Sequence, residues 1–181
     1  YVLPKLHEAF DKYGYPNMSQ VIESAQEKFK ELENKLLDIF IEMKRDVVIG
    51  AIEPSMYVFD PNWTSIKDMP RQVSYYVKET VLSLIFVQAE IYQIAPQLVN
   101  RSMYNILFAT LDEIERIYDS CVTNISDPAR LQMLIDINAI DYVLHKTGSK
   151  NYAKLKRKID SCRQIANASV YDSNIRKMID D

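Results

Sequence analysis

The fold of this chain is decided by residues 18–53, which read MSQVIESAQEKFKELENKLLDIFIEMKRDVVIGAIE. Apolar side chains recur here at steps of three and four residues, the spacing that places side chains on one face of an α-helix. The pattern predicts one continuous helix that buries this face against its neighbours. We call the set the apolar seam; it consists of Ile22, Ala25, Phe29, Leu32, Leu36, Ile39, Met43 and Val47.

The predicted length of this helix indicates the shape of the domain. At a rise of about 1.5 Å per residue the helix is about 54 Å long, whereas a compact globule of this chain length has a diameter near ~40 Å. We therefore predict an elongated domain with helices lying side by side. Pro54 lacks an N–H and restricts the residue before it, so we expect the helix to end or kink near Glu53.

Further amphipathic helices are predicted at residues 4–13, 69–95, 97–123, 128–146, 150–167 and 173–180. No stretch shows the period-two alternation of a β-strand, and short connections make successive helices antiparallel neighbours. The fold class is therefore predicted as all-α, an elongated antiparallel helical bundle.

The predicted domain organisation is a single domain over residues 1–181. Because the chain starts at Tyr1 rather than Met, we expect it to be a piece of a longer polypeptide. Residues 1–14 are interpreted as the end of a preceding bundle, and residues 168–181 as a short terminal helix.

Special residues cluster in the stretch GAIEPSMYVFDPNW, residues 50–63. We assign structural roles to Gly50, Pro54 and Trp63. Gly50 is expected to allow the close approach of another backbone, and Pro54 to end the long helix. Trp63 is expected to plug the connector against adjoining helices, and the alternative is an anchor for a partner protein.

Composition and motifs exclude several classes of function. The net charge of -3 argues against a nucleic-acid surface. No HExxH, GxSxG or GxxxxGK[ST] motif occurs, and three glycines leave no phosphate-binding loop. We predict no enzyme activity, no cofactor, no metal and no small-molecule substrate.

The acidic, histidine and cysteine residues that could form a catalytic or metal site have simpler interpretations. Asp112, Glu113 and Glu115 could belong to a metal-dependent all-α enzyme, but no second acidic cluster faces them, and a charged outer face is favoured. His7 and His145 have no Cys, Asp or Glu at ligand spacing, so neither is predicted to bind a metal. Cys121 and Cys162 are interpreted as free thiols; those two pairs are the only His and Cys residues in the chain.

A run of basic residues surrounds the penultimate predicted helix. Two interpretations stay open. The run could be a contact surface for an acidic partner or for anionic lipid, where each charge contributes about 1 kcal/mol near a membrane. It could instead be a solvated face that complements the charge of the acidic helix segment 111–119. The run includes Lys146, and its candidate contact residues are Lys150, Lys154, Lys156, Arg157, Lys158 and Arg163.

The order of several segments resembles one known family. These are LPKLHEAFDKYGY, VVIGAIEPSMY, FDPNW, VSYYVKETVLSLIFVQAEIYQIAPQLV and LQMLIDINAID. The chain is similar, over most of residues 1–167, to the C-terminal helical region of exocyst complex component two, the secretory-five subunit family. Each segment alone is only an amphipathic helix, so the specificity lies in their joint order.

The resemblance implies a cytosolic rod of stacked helical bundles, as in multisubunit tethering complexes. It implies a non-enzymatic scaffold that helps to dock secretory vesicles at the plasma membrane in exocytosis, through contacts with other exocyst subunits. The location expected is the cytoplasm, with recruitment to the cytosolic face of the plasma membrane and of vesicles. The GTPase-binding domain of the family has no counterpart here. The alternative hypothesis is a peripheral helical module that binds anionic lipid through the basic segment 146–163.

Overall fold

The computed structural model of the chain describes residues 2–14, 18–59, 61–121, 125–146 and 152–167. These residues form α-helices α1 (Val2–Tyr13), α2 (Met18–Phe59), α3 (Tyr75–Ile94), α4 (Val99–Cys121), α5 (Asp127–Lys146) and α6 (Tyr152–Asn167). Short 3-10 turns lie at Trp63–Ser65 and Pro96–Leu98. No β-strand occurs in these ranges, and the predicted all-α helical bundle is confirmed.

The chain divides into two compact units, Tyr1–Glu42 and Met43–Asp181. The first unit contains α1 and the first part of α2, and the second contains the remainder of α2 together with α3 to α6. The helix predicted at residues 173–180 lies outside the described residues.

Helices α4, α5 and α6 form the core of the second unit in an up-down-up arrangement. Polar contacts pair residues 104, 108 and 115 of α4 with residues 154, 158 and 161 of α6, so these helices run parallel. Contacts of residues 141 and 138 of α5 with residues 156 and 163 of α6 run in the opposite sense. Their shared core includes the fully buried side chains Ile106, Leu111, Ile114, Ile117, Tyr118, Met133, Ile137, Leu155 and Ile159.

Helix α3 begins later than the spacing predicted, at Tyr75 instead of residue 69. The backbone N–H of Ser74 donates a hydrogen bond to Asp136 Oδ1 at 2.8 Å. Because this carboxylate in α5 accepts from an N–H at the start of α3, tertiary structure sets the helix start, and residues 66–74 stay irregular.

The apolar seam of α2 is the clearest departure from expectation, since most of it is not buried. Six members have exposed side chains: Phe29, Leu32, Leu36, Ile39, Met43 and Val47. Within the second unit, Met43 is 62% exposed and Ile52 is 1% exposed. The two residues are nine positions apart, which at about 100° per residue places them on opposite sides of the helix. The core therefore packs on the other face of α2, which carries Val48, Ile52 and Met56.

Pro54 does not end α2, which continues to Phe59. The ring of a helical proline crowds the carbonyl of the residue four positions earlier, here Gly50. Among the residues that the structure describes, a Cβ atom at Gly50 would meet nothing within 4 Å, so none of them makes the expected close backbone approach. We attribute the tolerance of Pro54 to the backbone freedom of glycine at the crowded carbonyl. The next turn gains a hydrogen bond from Ser55 Oγ to the carbonyl of Ala51.

Trp63 is buried between the end of α2 and the start of α5, with 6% of its surface exposed. Its ring meets Tyr57 of α2 edge-on, with ring centroids 6.3 Å apart. Neighbouring residues of the connector are hydrogen-bonded to Ser126, whose N–H donates to Thr64 O at 2.8 Å and whose Oγ donates to Ile66 O at 2.6 Å. The connector is thus held at the start of α5 through Thr64 and Ile66.

Candidate interaction surface on α6

Helix α6 presents its basic side chains because its apolar residues occupy one narrow face. Leu155, Ile159, Cys162 and Ala166 follow steps of four, three and four residues and are fully buried against α4 and α5. The residues between them, which include most of the basic run, are left at the edges or on the outer side of the helix. Lys150 lies outside the described residues.

Asp141 of α5 forms the centre of one charged cluster. Its carboxylate accepts hydrogen bonds from Tyr152 Oη at 2.6 Å, Lys156 Nζ at 2.9 Å and Arg163 Nη2 at 2.6 Å. Partial burial disfavours the charged carboxylate, but the hydrogen bonds from these three donors outweigh it and lower the pKa of Asp141 to about 2. Asp160 also pairs with both cations. Lys156 and Arg163 are therefore structural ion-pair partners.

Lys158 joins α6 to the acidic face of α4 in a second cluster. Its ammonium contacts Asp112 Oδ1 and Glu115 Oε2, each at 2.5 Å, and Ser161 Oγ also donates to Glu115. The hydrogen bonds to the two carboxylates raise the pKa of Lys158 to about 12. Burial opposes ionisation of Glu115, but Lys158 and Ser161 lower its pKa overall. This cluster agrees with the interpretation that the basic segment forms ion pairs with the acidic residues of α4.

The remaining described basic residues of the candidate set, Lys154 and Arg157, are exposed. Lys154 lies over the ring of Tyr104, with Nζ 5.6 Å from the ring centroid. Neither side chain has a carboxylate within ion-pair distance among residues 2–14, 18–59, 61–121, 125–146 and 152–167. Tertiary structure thus separates the six predicted contact residues into three that are paired, two that are exposed and Lys150.

The acidic candidates for an enzyme do not converge on one site. Asp112 and Glu115 bind Lys158, whereas Glu113 binds Arg116, with an Nη2 to Oε1 distance of 2.7 Å. Arg116 also pairs with Glu53 of α2 at 2.8 Å. In the part of the chain that the structure describes, no group of three or more His, Cys, Asp or Glu side chains could hold a metal ion.

The described cysteine and histidine candidates differ in burial: Cys162 is buried, Cys121 is partly buried and His145 is exposed. Cys162 is a free, buried thiol, and burial raises its pKa to about 12; Cys121 is also free. The His145 ring packs edge-on against Tyr152 at 5.3 Å. The side chain of His7 lies outside those that the structure describes.

One buried polar network was missed by sequence reasoning. Asp136 is 1% exposed and accepts hydrogen bonds from the Ser74 N–H at 2.8 Å and Gln132 Nε2 at 2.9 Å. Burial raises the pKa of Asp136, although these hydrogen bonds favour its charged form. Tyr76 and Tyr118, joined at 2.8 Å between their hydroxyl oxygens, complete the link between α3, α4 and α5. The only signal in the sequence is an aspartate within the apolar run LIDI, residues 134–137.

None of the described helices combines the length and the apolar character needed to cross a lipid bilayer.

Comparison with known proteins identifies the family of the chain. The family model described as "Exocyst complex component Sec5" matches residues 1–177. The chain is 28% identical to exocyst complex component 2 of Mus musculus over 163 residues, which are 90% of this chain and 17% of that protein. It is 32% identical to exocyst complex component 2 of Drosophila melanogaster over 153 residues, 82% of this chain and 17% of that protein.

The chain thus spans less than a fifth of the length of these relatives. No solved structure gives a significant match. Because the family model covers nearly the whole chain, the chain belongs to the Sec5 family of exocyst components.

Proposed function

We propose that this chain is a non-enzymatic scaffold segment of the exocyst. In this role it supports the docking of secretory vesicles at the plasma membrane through protein–protein contacts with other exocyst subunits. The observation that carries the proposal is the family match over residues 1–177. We further propose that the segment belongs to the C-terminal helical region of its subunit and acts in the cytoplasm, at the cytosolic face of the plasma membrane and of vesicles.

The packing of the second unit supports a scaffold role. The buried core of α4 to α6 and the buried network of Asp136 hold the helices in one arrangement. Each fully buried Leu or Ile stabilises the fold by roughly 1.5–3 kcal/mol. A rigid bundle of this kind presents its outer side chains at defined positions, which a contact with another subunit requires.

The alternative of anionic-lipid binding is not favoured by the charges of α6. Lys156, Lys158 and Arg163 are paired with carboxylates of the same chain. Of the described basic residues of segment 146–163, the exposed ones are Lys146, Lys154 and Arg157, and at about 1 kcal/mol per charge they would contribute only about 3 kcal/mol at an anionic membrane. The surface is therefore better suited to a protein partner.

A binding experiment with individual subunits tests the proposal. The 181-residue chain is immobilised and each of the other exocyst subunits is offered separately in purified form. We expect saturable capture of at least one subunit. The control is Ile159→Asp, which buries an unpaired charge in the core and should unfold the bundle. Failure to capture any subunit, or equal capture by the unfolded control, would contradict the proposed scaffold function.

A further inference from the structure

A shallow groove runs between the parallel helices α4 and α6, with a volume of about 460 Å³. It lies wholly within the second unit. The side chains that give it its chemistry are Tyr104, Phe108, Glu115, Lys154, Arg157 and Lys158. We call it the α4–α6 groove.

The lining of the α4–α6 groove has an excess of positive charge in a chain whose net charge is -3. Three cations and one carboxylate line it, and the carboxylate of Glu115 is already bound by Lys158 and Ser161. The uncompensated charge belongs to Lys154 and Arg157, which are exposed and three positions apart on α6. Residues at this spacing project from one side of a helix, about 5–6 Å apart at their Cβ atoms.

Aromatic rings form the floor of the groove beneath the cations. Lys154 Nζ lies 5.6 Å from the centroid of Tyr104, and Lys158 Nζ lies 5.4 Å from that of Phe108. The two ring centroids are 6.1 Å apart. The cation–π contacts orient both ammonium groups along the groove, and the rings offer apolar surface to the aliphatic part of an incoming side chain.

We propose that the α4–α6 groove binds an acidic segment of a partner protein. One carboxylate of that segment pairs with the guanidinium of Arg157, whose planar group can donate two parallel hydrogen bonds to it. A second carboxylate, about one helical turn away, pairs with Lys154, and the aliphatic parts of the segment lie on Tyr104 and Phe108. The inference rests on the proposed scaffold function, because it specifies the chemistry of one partner contact.

A protein segment fits this groove better than a membrane does. Juxtamembrane lipid recognition uses clusters of about four to eight basic residues that face the headgroups together. Here the two uncompensated cations line a concavity between helices, where a narrow chain can reach both. Carboxylates of that chain would accept charge-assisted hydrogen bonds from the two cations, and bonds of this kind are about twice as strong as neutral ones.

Peptide binding to the whole chain tests the proposal. The probe is a fluorescently labelled glutamate-rich peptide, and its control has glutamine at every glutamate position. We expect the double variant Lys154→Glu/Arg157→Glu to bind the glutamate peptide at least about tenfold more weakly, and Lys154→Gln/Arg157→Gln to show an intermediate loss. Binding by the unaltered chain should weaken as salt is raised.

A matched control is Lys146→Glu, which reverses an exposed lysine that lies over Tyr142 of α5, outside the groove. Its affinity should stay within about twofold of the unaltered chain, because Lys146 does not line the groove and an exposed charge outside it is screened by salt. All of these side chains are exposed, so circular dichroism should show the same melting temperature in each variant.

Several outcomes overturn the proposal. These are equal binding of the glutamine peptide, unchanged affinity in the double charge-reversal variant, or sedimentation of the chain with phosphatidylserine vesicles without peptide binding. If peptide binding is absent while subunit capture persists, the groove assignment fails and the scaffold function stands. If both are absent, both fail.

Discussion

The buried face of α6 and the exposed seam of α2 carry the same kind of pattern and have opposite surroundings. In α6, Leu155 and Ile159 are fully buried, whereas in α2 Ile39 and Met43, at the same spacing of four residues, are more than half exposed. The difference shows that helical spacing identifies an apolar face but does not decide whether another element packs on it. Connector residue Trp63 is the converse case, since it is buried without belonging to any helical repeat.

Substitution of Trp63 should give the largest loss of stability, because this large side chain is buried although it belongs to no helical repeat. Trp63→Ala removes a large buried ring and should lower the free energy of unfolding by about 4 kcal/mol. The check is urea denaturation followed by circular dichroism, with Trp63→Phe as the conservative control expected to lose less. An unchanged melting temperature together with lost subunit capture would instead support the role of Trp63 as a partner anchor.

Replacement of one isoleucine by alanine in each of the two apolar faces tests directly whether the face of α6 is buried and the seam of α2 is exposed. Ile159→Ala leaves a cavity in the core and should lower the free energy of unfolding by about 3 kcal/mol. Ile39→Ala in the exposed seam should change it by less than about 0.5 kcal/mol. Both are measured by urea denaturation of the isolated chain. A loss of similar size at Ile39 would mean that the seam is covered in solution.

Loss of an ion pair should also destabilise the α5–α6 region more than α2. The change in the free energy of unfolding should be smaller than for the apolar substitutions, and for Asp141 it should depend on pH. The folded pKa of Asp141, about 2, lies below its unfolded value, so its charged form contributes stability above about pH 4 that is lost as the pH falls towards 2. Asp141→Asn should therefore lower the free energy of unfolding by about 2 kcal/mol at pH 7 and by almost nothing at pH 2.

The ion pair of α2 to be compared with the Asp141 cluster is Glu31–Lys35. Its Nζ to Oε1 distance is 2.7 Å, and both side chains are largely exposed. Glu31→Gln should cost only about 0.3–0.5 kcal/mol at pH 7, since an exposed pair at this spacing is weak. Urea denaturation between pH 2 and pH 7 measures both variants. A pH-independent effect of Asp141→Asn would show that its hydrogen bonds do not depend on its charge.

The candidate surface could be predicted only in part. The basic run on α6 is visible in the sequence, because its residues are neighbours along the chain. The partners of Lys158 are not, since Asp112 lies 46 positions away and meets it only after α4 and α6 pack in parallel. The same holds for Asp136, which becomes a buried acceptor only when Ser74 reaches it from 62 positions away.

Local spacing in the sequence by itself determined the helices and their apolar faces, and the order of its segments indicated the family. Periodicity is set by neighbours three and four positions apart, so it can be read without a fold. Only the tertiary structure decided which face of α2 is buried, where Pro54 is tolerated and which cations of α6 remain uncompensated. These properties depend on side chains that are distant in the chain, and their contacts exist only after the helices have packed.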